Sequence, residues 1–162
     1  MVGAPPPLVF PQKLRDELIA HARAGNPDEV CGMLAGRDGR VERVFSVRNA
    51  ADEVGADSGV FRDRATQAPA PGRRPVHYYM DPLDQLRVYR EIDDLELNVV
   101  AYYHSHTHTE ARPSPTDIRL AHDPSVVWVL VSLSDQPAVR AWRITKADDA
   151  AETGELTEVA LA

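Results

Sequence analysis

The 162-residue chain has one cysteine, Cys31, so it can form no internal disulfide and no zinc site built from several thiolates. Any transition-metal site must rest on histidine and carboxylate. Basic residues are also scarce: 18 Lys and Arg against 25 Asp and Glu leave a net charge of −7. That balance argues against a nucleic-acid binder, which needs a dense basic face. No apolar run approaches the roughly 20 residues of a membrane span, and the start, Met1 to Pro7, has no charged n-region and no signal-like apolar core. The expectation is a protein of the cytoplasm with a protein partner or a small substrate. Hydrophobic residues at 43% and charged residues at 27% are ordinary for one folded, soluble domain.

Periodicity predicts a mixed α and β fold. Gln12 to Ala24 reads as a helix with Leu14, Leu18, Ile19 and Ala22 on one side, entered through Pro11. Val30 to Ala35 and Val41 to Val47 read as a hairpin around the Asp38-Gly39 turn. Residues 52–75 carry Gly55, Gly59, Pro69, Pro71, Gly72 and Pro75 and read as a long loop, in which Arg62, Arg64, Arg73 and Arg74 make a local basic spot, read as a solvated loop with a grip on a partner as the alternative. Val76 to Met80 is β-prone. Asp81-Pro82 then caps a helix running to about Leu97, with an apolar stripe of Leu83, Leu86, Tyr89, Ile92 and Leu95. Val99 to Tyr103, Val126 to Leu133 and Ala138 to Thr145 read as strands. From Asp148 the chain holds five acids and no base, and a solvated or frayed end is expected.

The segment from Tyr103 to Asp117 carries the chemistry. Three of the six histidines, His104, His106 and His108, fall within five residues of it. On an extended backbone, residues two apart share a side, so His104 and His106 can face one ion. A catalytic zinc takes three protein ligands and keeps a fourth position for water, and Asp117 is the nearest downstream candidate for the third. Ser114-Pro115-Thr116-Asp117 is also a helix start on structural grounds alone: Ser as N-cap, Pro at the first helical position, an acid at the third. A capped helix is a rigid mount for a ligand, so the two roles are compatible.

The spacing His-x-His, seven residues, Ser-x-x-Asp, with Glu29 ahead of the apolar run Val30 to Gly36, resembles the JAMM/MPN+ zinc metallo-isopeptidases. The resemblance spans about Leu14 to Ile144. The His-Ser-His-Thr wording, Tyr-Met-Asp-Pro before the central helix and the small size are most similar to the bacterial Mec-type hydrolases of sulfur-carrier-protein–cysteine adducts. It implies a single-domain, cytidine-deaminase-like layered α/β/α fold, with a curved mixed sheet flanked by helices. The domain would occupy residues 11–147, between an N-terminal extension, 1–10, and an acidic tail, 148–162.

For the site, the resemblance implies one zinc ion held by His104, His106 and Asp117, with Glu29 as the acid–base and Ser114 as the residue that stabilises the oxyanion. It implies hydrolysis of the amide after the C-terminal Gly-Gly of a ubiquitin-like sulfur-carrier protein, with cysteine released, as in cysteine biosynthesis. An isopeptidase acting on lysine conjugates and a non-catalytic MPN− scaffold are the alternatives. A nucleobase deaminase would need a Pro-Cys-x-x-Cys segment, which is absent. Thr107 departs from the proline of most eukaryotic members. His108 is an alternative ligand, although the spacing to Ser114 favours His104 and His106. His21, His77 and His122 read as surface or core histidines, and Cys31 as a buried inert thiol. The oligomeric state, monomer or homodimer, stays open.

Overall fold

In the computed structural model, residues 3–54, 60–61 and 72–162 are described. The elements are α1 (Gln12–Gly25), β1 (Cys31–Arg37), β2 (Arg40–Val47), a 3-10 turn (Ala51–Glu53), α2 (Pro82–Asp94), β3 (Asn98–His106), α3 (Pro115–Leu120), β4 (Trp128–Ser132), β5 (Val139–Thr145) and β6 (Glu155–Val159). The six strands form one mixed sheet in the order β2-β1-β3-β4-β5-β6. Only β3 and β4 run parallel, and α3 lies in the crossover between them.

Side-chain alternation sorts the sheet into two faces. Leu34, Tyr103, Val129, Val131 and Ala141 point towards α1, where Leu18 and Ala22 complete a core that also takes in Leu8 and Phe10. The opposite face carries Cys31, Met33, Phe45 and Tyr102 against Val88 and Ile92 of α2. His104 and His106 fall on this second face, in phase with Tyr102. Asp38 and Gly39 both adopt positive φ, as the tight β1–β2 turn requires.

Several expectations change. The acidic end is not frayed: residues 155–159 pair antiparallel with β5, and Arg140 of β5 forms a bidentate ion pair with Glu158. Two of the five acids, Glu155 and Glu158, lie on this edge strand, and both are exposed while Val159 faces the core. Leu8 to Phe10 also belong to the sheet's surroundings, since Leu8 bridges Leu161 and is buried with Phe10. Val76 to Met80 makes a single bridge, Asn49 to Met80, rather than a strand.

Helix α2 stops at Asp94, with Glu96 at positive φ. Its buried residues are Val88 and Ile92, so Leu83, Leu86, Tyr89 and Leu95 of the expected stripe lie exposed. Most of the 52–75 loop, including Arg62 and Arg64, lies outside the described residues. Arg73 is buried rather than solvated, donating to the carbonyls of Ala51 and Val54, and Arg74 pairs with Asp52.

Gly32 sits in β1 in close contact with its neighbours. A β-carbon there would overlap the carbonyl oxygen of Phe45 and the hydroxyl of Tyr103. Both obstacles are fixed, one by the β1–β2 ladder and the other by a 2.9 Å hydrogen bond to His21. Gly32→Ala is expected to lower stability by about 1–3 kcal/mol, the usual cost of overpacking. A urea titration should show a lower midpoint at unchanged slope.

Candidate metal and hydrolytic site

The site forms where β3 ends. His104 and His106 project from the same face of the strand, with ring centroids 5.1 Å apart. Chain reversal after His106 brings α3 back across them. Ser114 caps this helix by accepting from Asp117 N–H at 3.1 Å, while its own N–H donates to Asp117 Oδ2 at 2.8 Å. The reciprocal box fixes the carboxylate, and Oδ2 meets His104 Nε2 at 3.0 Å and His106 Nε2 at 3.2 Å.

Glu29 arrives from the other side, just before β1. Antiparallel register sets Cys31 opposite His104, and Ser105 clasps Val30 twice. Ser105 Oγ accepts from Val30 N–H at 2.8 Å, and Ser105 N–H donates to the Val30 carbonyl at 3.0 Å. Glu29, His104 and His106 each offer a ligand atom within 4.8 Å of the others, and all three are buried.

The donor set fits a divalent cation. Ligand atoms of a tetrahedral ion at ~2.0–2.1 Å stand about 3.3 Å apart, close to the imidazole-to-carboxylate separations here. Two imidazole nitrogens and one carboxylate oxygen also match the ligand preference of borderline ions such as zinc.

Burial governs the electrostatics. It pushes the Glu29 carboxyl up to about 8, against the pull of His106 and with some help from the charge on Asp117. Burial would also raise Asp117, but His104 and His106 outweigh it and hold that carboxyl well below the usual range. His104 is lowered by burial despite Asp117. His106 is desolvated too, yet Asp117 and the Glu110 carbonyl keep it above its ordinary value. The site therefore pairs one readily ionised carboxylate with one that holds its proton near neutrality, a division suited to separate ligand and acid–base roles.

All five residues singled out in the sequence, Glu29, His104, His106, Ser114 and Asp117, meet here. Glu29, His106 and Ser114 line a small cleft of about 150 Å³ with Pro75, Val76, Thr107, His108 and Thr109. His108 stands exposed at its edge and is not in the buried cluster. Thr107, in place of the proline, donates to the Pro75 carbonyl at 3.3 Å. His21 pairs with the Tyr103 hydroxyl, His77 stacks on Phe61, and His122 lies at a separate aromatic pocket. Cys31 is buried, donates to the Val47 carbonyl and has its thiol pushed up to about 12 by burial.

Three contributors escaped the sequence. Ser105 points away from the face that carries His104 and His106, as its place between two same-side histidines could have shown. Asn49 uses its whole amide: Nδ2 donates to the carbonyls of Glu29 (2.9 Å) and His77 (3.0 Å), and Oδ1 accepts from Ala51 (3.0 Å) and Tyr79 (3.1 Å). The Asn49-to-Ala51 bond is a local Asx turn; its other partners are remote in sequence. Tyr78 stacks on His104 at 4.2 Å.

A raised carboxyl pKa has a definite thermodynamic sign. Below about pH 4.5 Glu29 is protonated in both folded and unfolded chains; between there and about 8 only the folded chain holds the proton. Metal-free protein should thus lose the Glu29 contribution as pH rises across this window. The difference in melting temperature between metal-free wild type and Glu29→Gln is expected to shift in favour of the variant from pH 5 to pH 8. A pH-independent difference would show that Glu29 ionises normally.

Comparison with known proteins agrees with this geometry. The model of prokaryotic homologs of the JAB domain matches residues 11–145. The chain is 38% identical over 156 residues to the CysO-cysteine peptidase of Mycobacterium tuberculosis (strain ATCC 25618 / H37Rv), covering 94% of this chain and 90% of the relative. It is 30% identical over 134 residues to the desampylase of Haloferax volcanii, covering 79% and 82%. Among solved structures, protein DSY2949 from Desulfitobacterium hafniense superposes with a TM-score of 0.69 at 30% identity, over 95% of this chain and 90% of that one. The chain belongs to the family of prokaryotic JAB-domain homologs.

Proposed function

We propose that this protein is a zinc-dependent peptidase that hydrolyses the amide after the C-terminal Gly-Gly of a ubiquitin-like sulfur-carrier protein, releasing cysteine. The observation that carries it is the convergence of two imidazoles, a buried carboxylate and a second carboxyl that holds its proton near neutrality, at a small cleft of about 150 Å³. A cleft of about 150 Å³ lies below the range of pockets for drug-sized ligands, and a pair of glycines is the thinnest peptide that could thread it. The relative named CysO-cysteine peptidase supports cysteine as the leaving group. The desampylase relative keeps a second reading open, in which the conjugate is a modified protein.

His104, His106 and Asp117 would hold the ion. Zinc, when bound, supplies Lewis-acid polarisation and lowers the pKa of water from 15.7 to roughly 7. Glu29 takes the proton from the attacking water and returns it to the leaving nitrogen. A carboxyl pushed up to about 8 when metal-free gains acidity from a nearby cation, which brings it towards the neutral range that both transfers require. Ser114 accepts from Asp117 N–H through its oxygen lone pair, so its O–H remains available to donate to the developing oxyanion. Its cap and its catalytic role use different parts of one hydroxyl. Among the described residues no helix is long and apolar enough to cross a membrane, and the single buried thiol suits a reducing cytoplasm.

The decisive experiment measures zinc content together with cleavage of a carrier protein ending in Gly-Gly-Cys, with and without chelator. Stoichiometric zinc with chelator-sensitive release of cysteine is expected; zinc without cleavage would move the substrate to protein conjugates, and a metal-free, inert protein under metal-replete conditions would favour a scaffold. Glu29→Gln should abolish turnover while retaining zinc, whereas His106→Ala should lose both. Ser114→Ala is expected to lower kcat by about 10²–10³ through the oxyanion, beyond a stability loss of about 1 kcal/mol from the cap. A kcat within twofold of wild type would reduce Ser114 to a cap alone.

A further inference from the structure

A histidine that gives one ring nitrogen to a metal ordinarily has its orientation set by a hydrogen bond at the other. His106 follows this rule, its Nδ1 donating to the Glu110 carbonyl at 2.8 Å. His104 does not. Its Nδ1 is buried and has no hydrogen-bond partner among the described residues. The ring torsion of histidine is soft, so something other than a hydrogen bond must fix the ring plane.

Tyr78 is placed to do so. Its ring stacks on the His104 imidazole with centroids 4.2 Å apart and planes 23° from parallel. The peptide groups on both sides of Tyr78 are held by one side chain: Asn49 donates to the His77 carbonyl and accepts from the Tyr79 N–H. The same Asn49 donates to the carbonyl of Glu29. One amide thus registers the backbone of the acid–base residue with the residue stacked on a metal ligand.

We infer that Tyr78 is the positioning residue for His104, its ring clamping the imidazole plane so that Nε2 is presented beside Asp117 without a hydrogen bond at Nδ1. The inference rests on His104 being a metal ligand. The clamp is made by the ring face rather than the hydroxyl, so phenylalanine should replace it and an aliphatic side chain should not. A planar neighbour restricts rotation of the imidazole, whereas leucine or methionine fills the space but leaves the plane free.

The test is zinc affinity, by competition with a chromophoric chelator, for wild type, Tyr78→Phe, Tyr78→Leu and Tyr78→Met, with the visible spectrum of the cobalt(II)-substituted proteins as a second readout. Tyr78→Phe is expected to match wild type. The two aliphatic variants should bind zinc about 10-fold or more weakly and show an altered cobalt spectrum, with metal-free melting still cooperative. If either folded aliphatic variant binds zinc as tightly as wild type with an unchanged spectrum, or if Tyr78→Phe is as weak as they are, the inference fails. If neither aliphatic variant folds, NMR of the zinc-loaded wild type decides: stacking predicts upfield ring-current shifts of the His104 ring protons, and their absence overturns the clamp. Wild-type protein that binds no zinc would instead overturn the metal reading on which the inference stands.

Discussion

The site depends on the antiparallel register of β1 and β3. Because side chains alternate along a strand, a slip of one residue would turn His104 and His106 towards α1 and carry Glu29 out of reach. The paired hydrogen bonds between Val30 and Ser105 lock that register at its most sensitive point, beside both histidines. Ser105 can serve this purpose because it faces the opposite side from its two neighbours. The short His-Ser-His sequence therefore contains the two imidazoles of the site and the fastener that aligns them.

The second constraint is the burial of charge. An unpaired carboxylate in a core is strongly destabilising, so each acid here is stabilised differently. Asp117 Oδ2 gathers three donors, two imidazoles and the Ser114 N–H, and stays ionised. Glu29 has no such set, and desolvation holds its proton on. The asymmetry follows from position: Asp117 sits inside a helix cap that supplies a donor, while Glu29 lies ahead of a strand, its own carbonyl and N–H committed to Asn49 and Arg74. Two carboxyl groups of one site thereby acquire different protonation behaviour.

Much of the architecture was legible in the chain. The hairpin at Asp38-Gly39, the Asp81-Pro82 helix start, the buried strands and the Ser114 capping box each arise from interactions within a few residues, so sequence patterns report them. The errors share the opposite property. The acidic end became an edge strand because β5 offered a free edge and Arg140 met Glu158. On α2 the true buried face runs through Val88 and Ile92, because the helix is rotated by its contact with Phe45, Val47 and Met80 rather than by its own composition. Arg73 looked like a surface cation, but the carbonyls of Ala51 and Val54, about twenty residues away, draw it inward.

The same division runs through the site. The sequence by itself determined which groups could bind and activate: the His-x-His spacing places two imidazoles on one strand face, and Ser-Pro-Thr-Asp builds its own capped mount, both through local geometry. Only the tertiary structure decided how those groups behave. Burial in the folded chain keeps the proton on Glu29, and Asn49 ties the Glu29 carbonyl, 20 residues away, to the His77 carbonyl and the Tyr79 N–H that flank Tyr78, 28 and 30 residues away, through one amide. Electrostatic environment and long-range hydrogen bonding depend on what packs nearby in space, and no local pattern of residues encodes that.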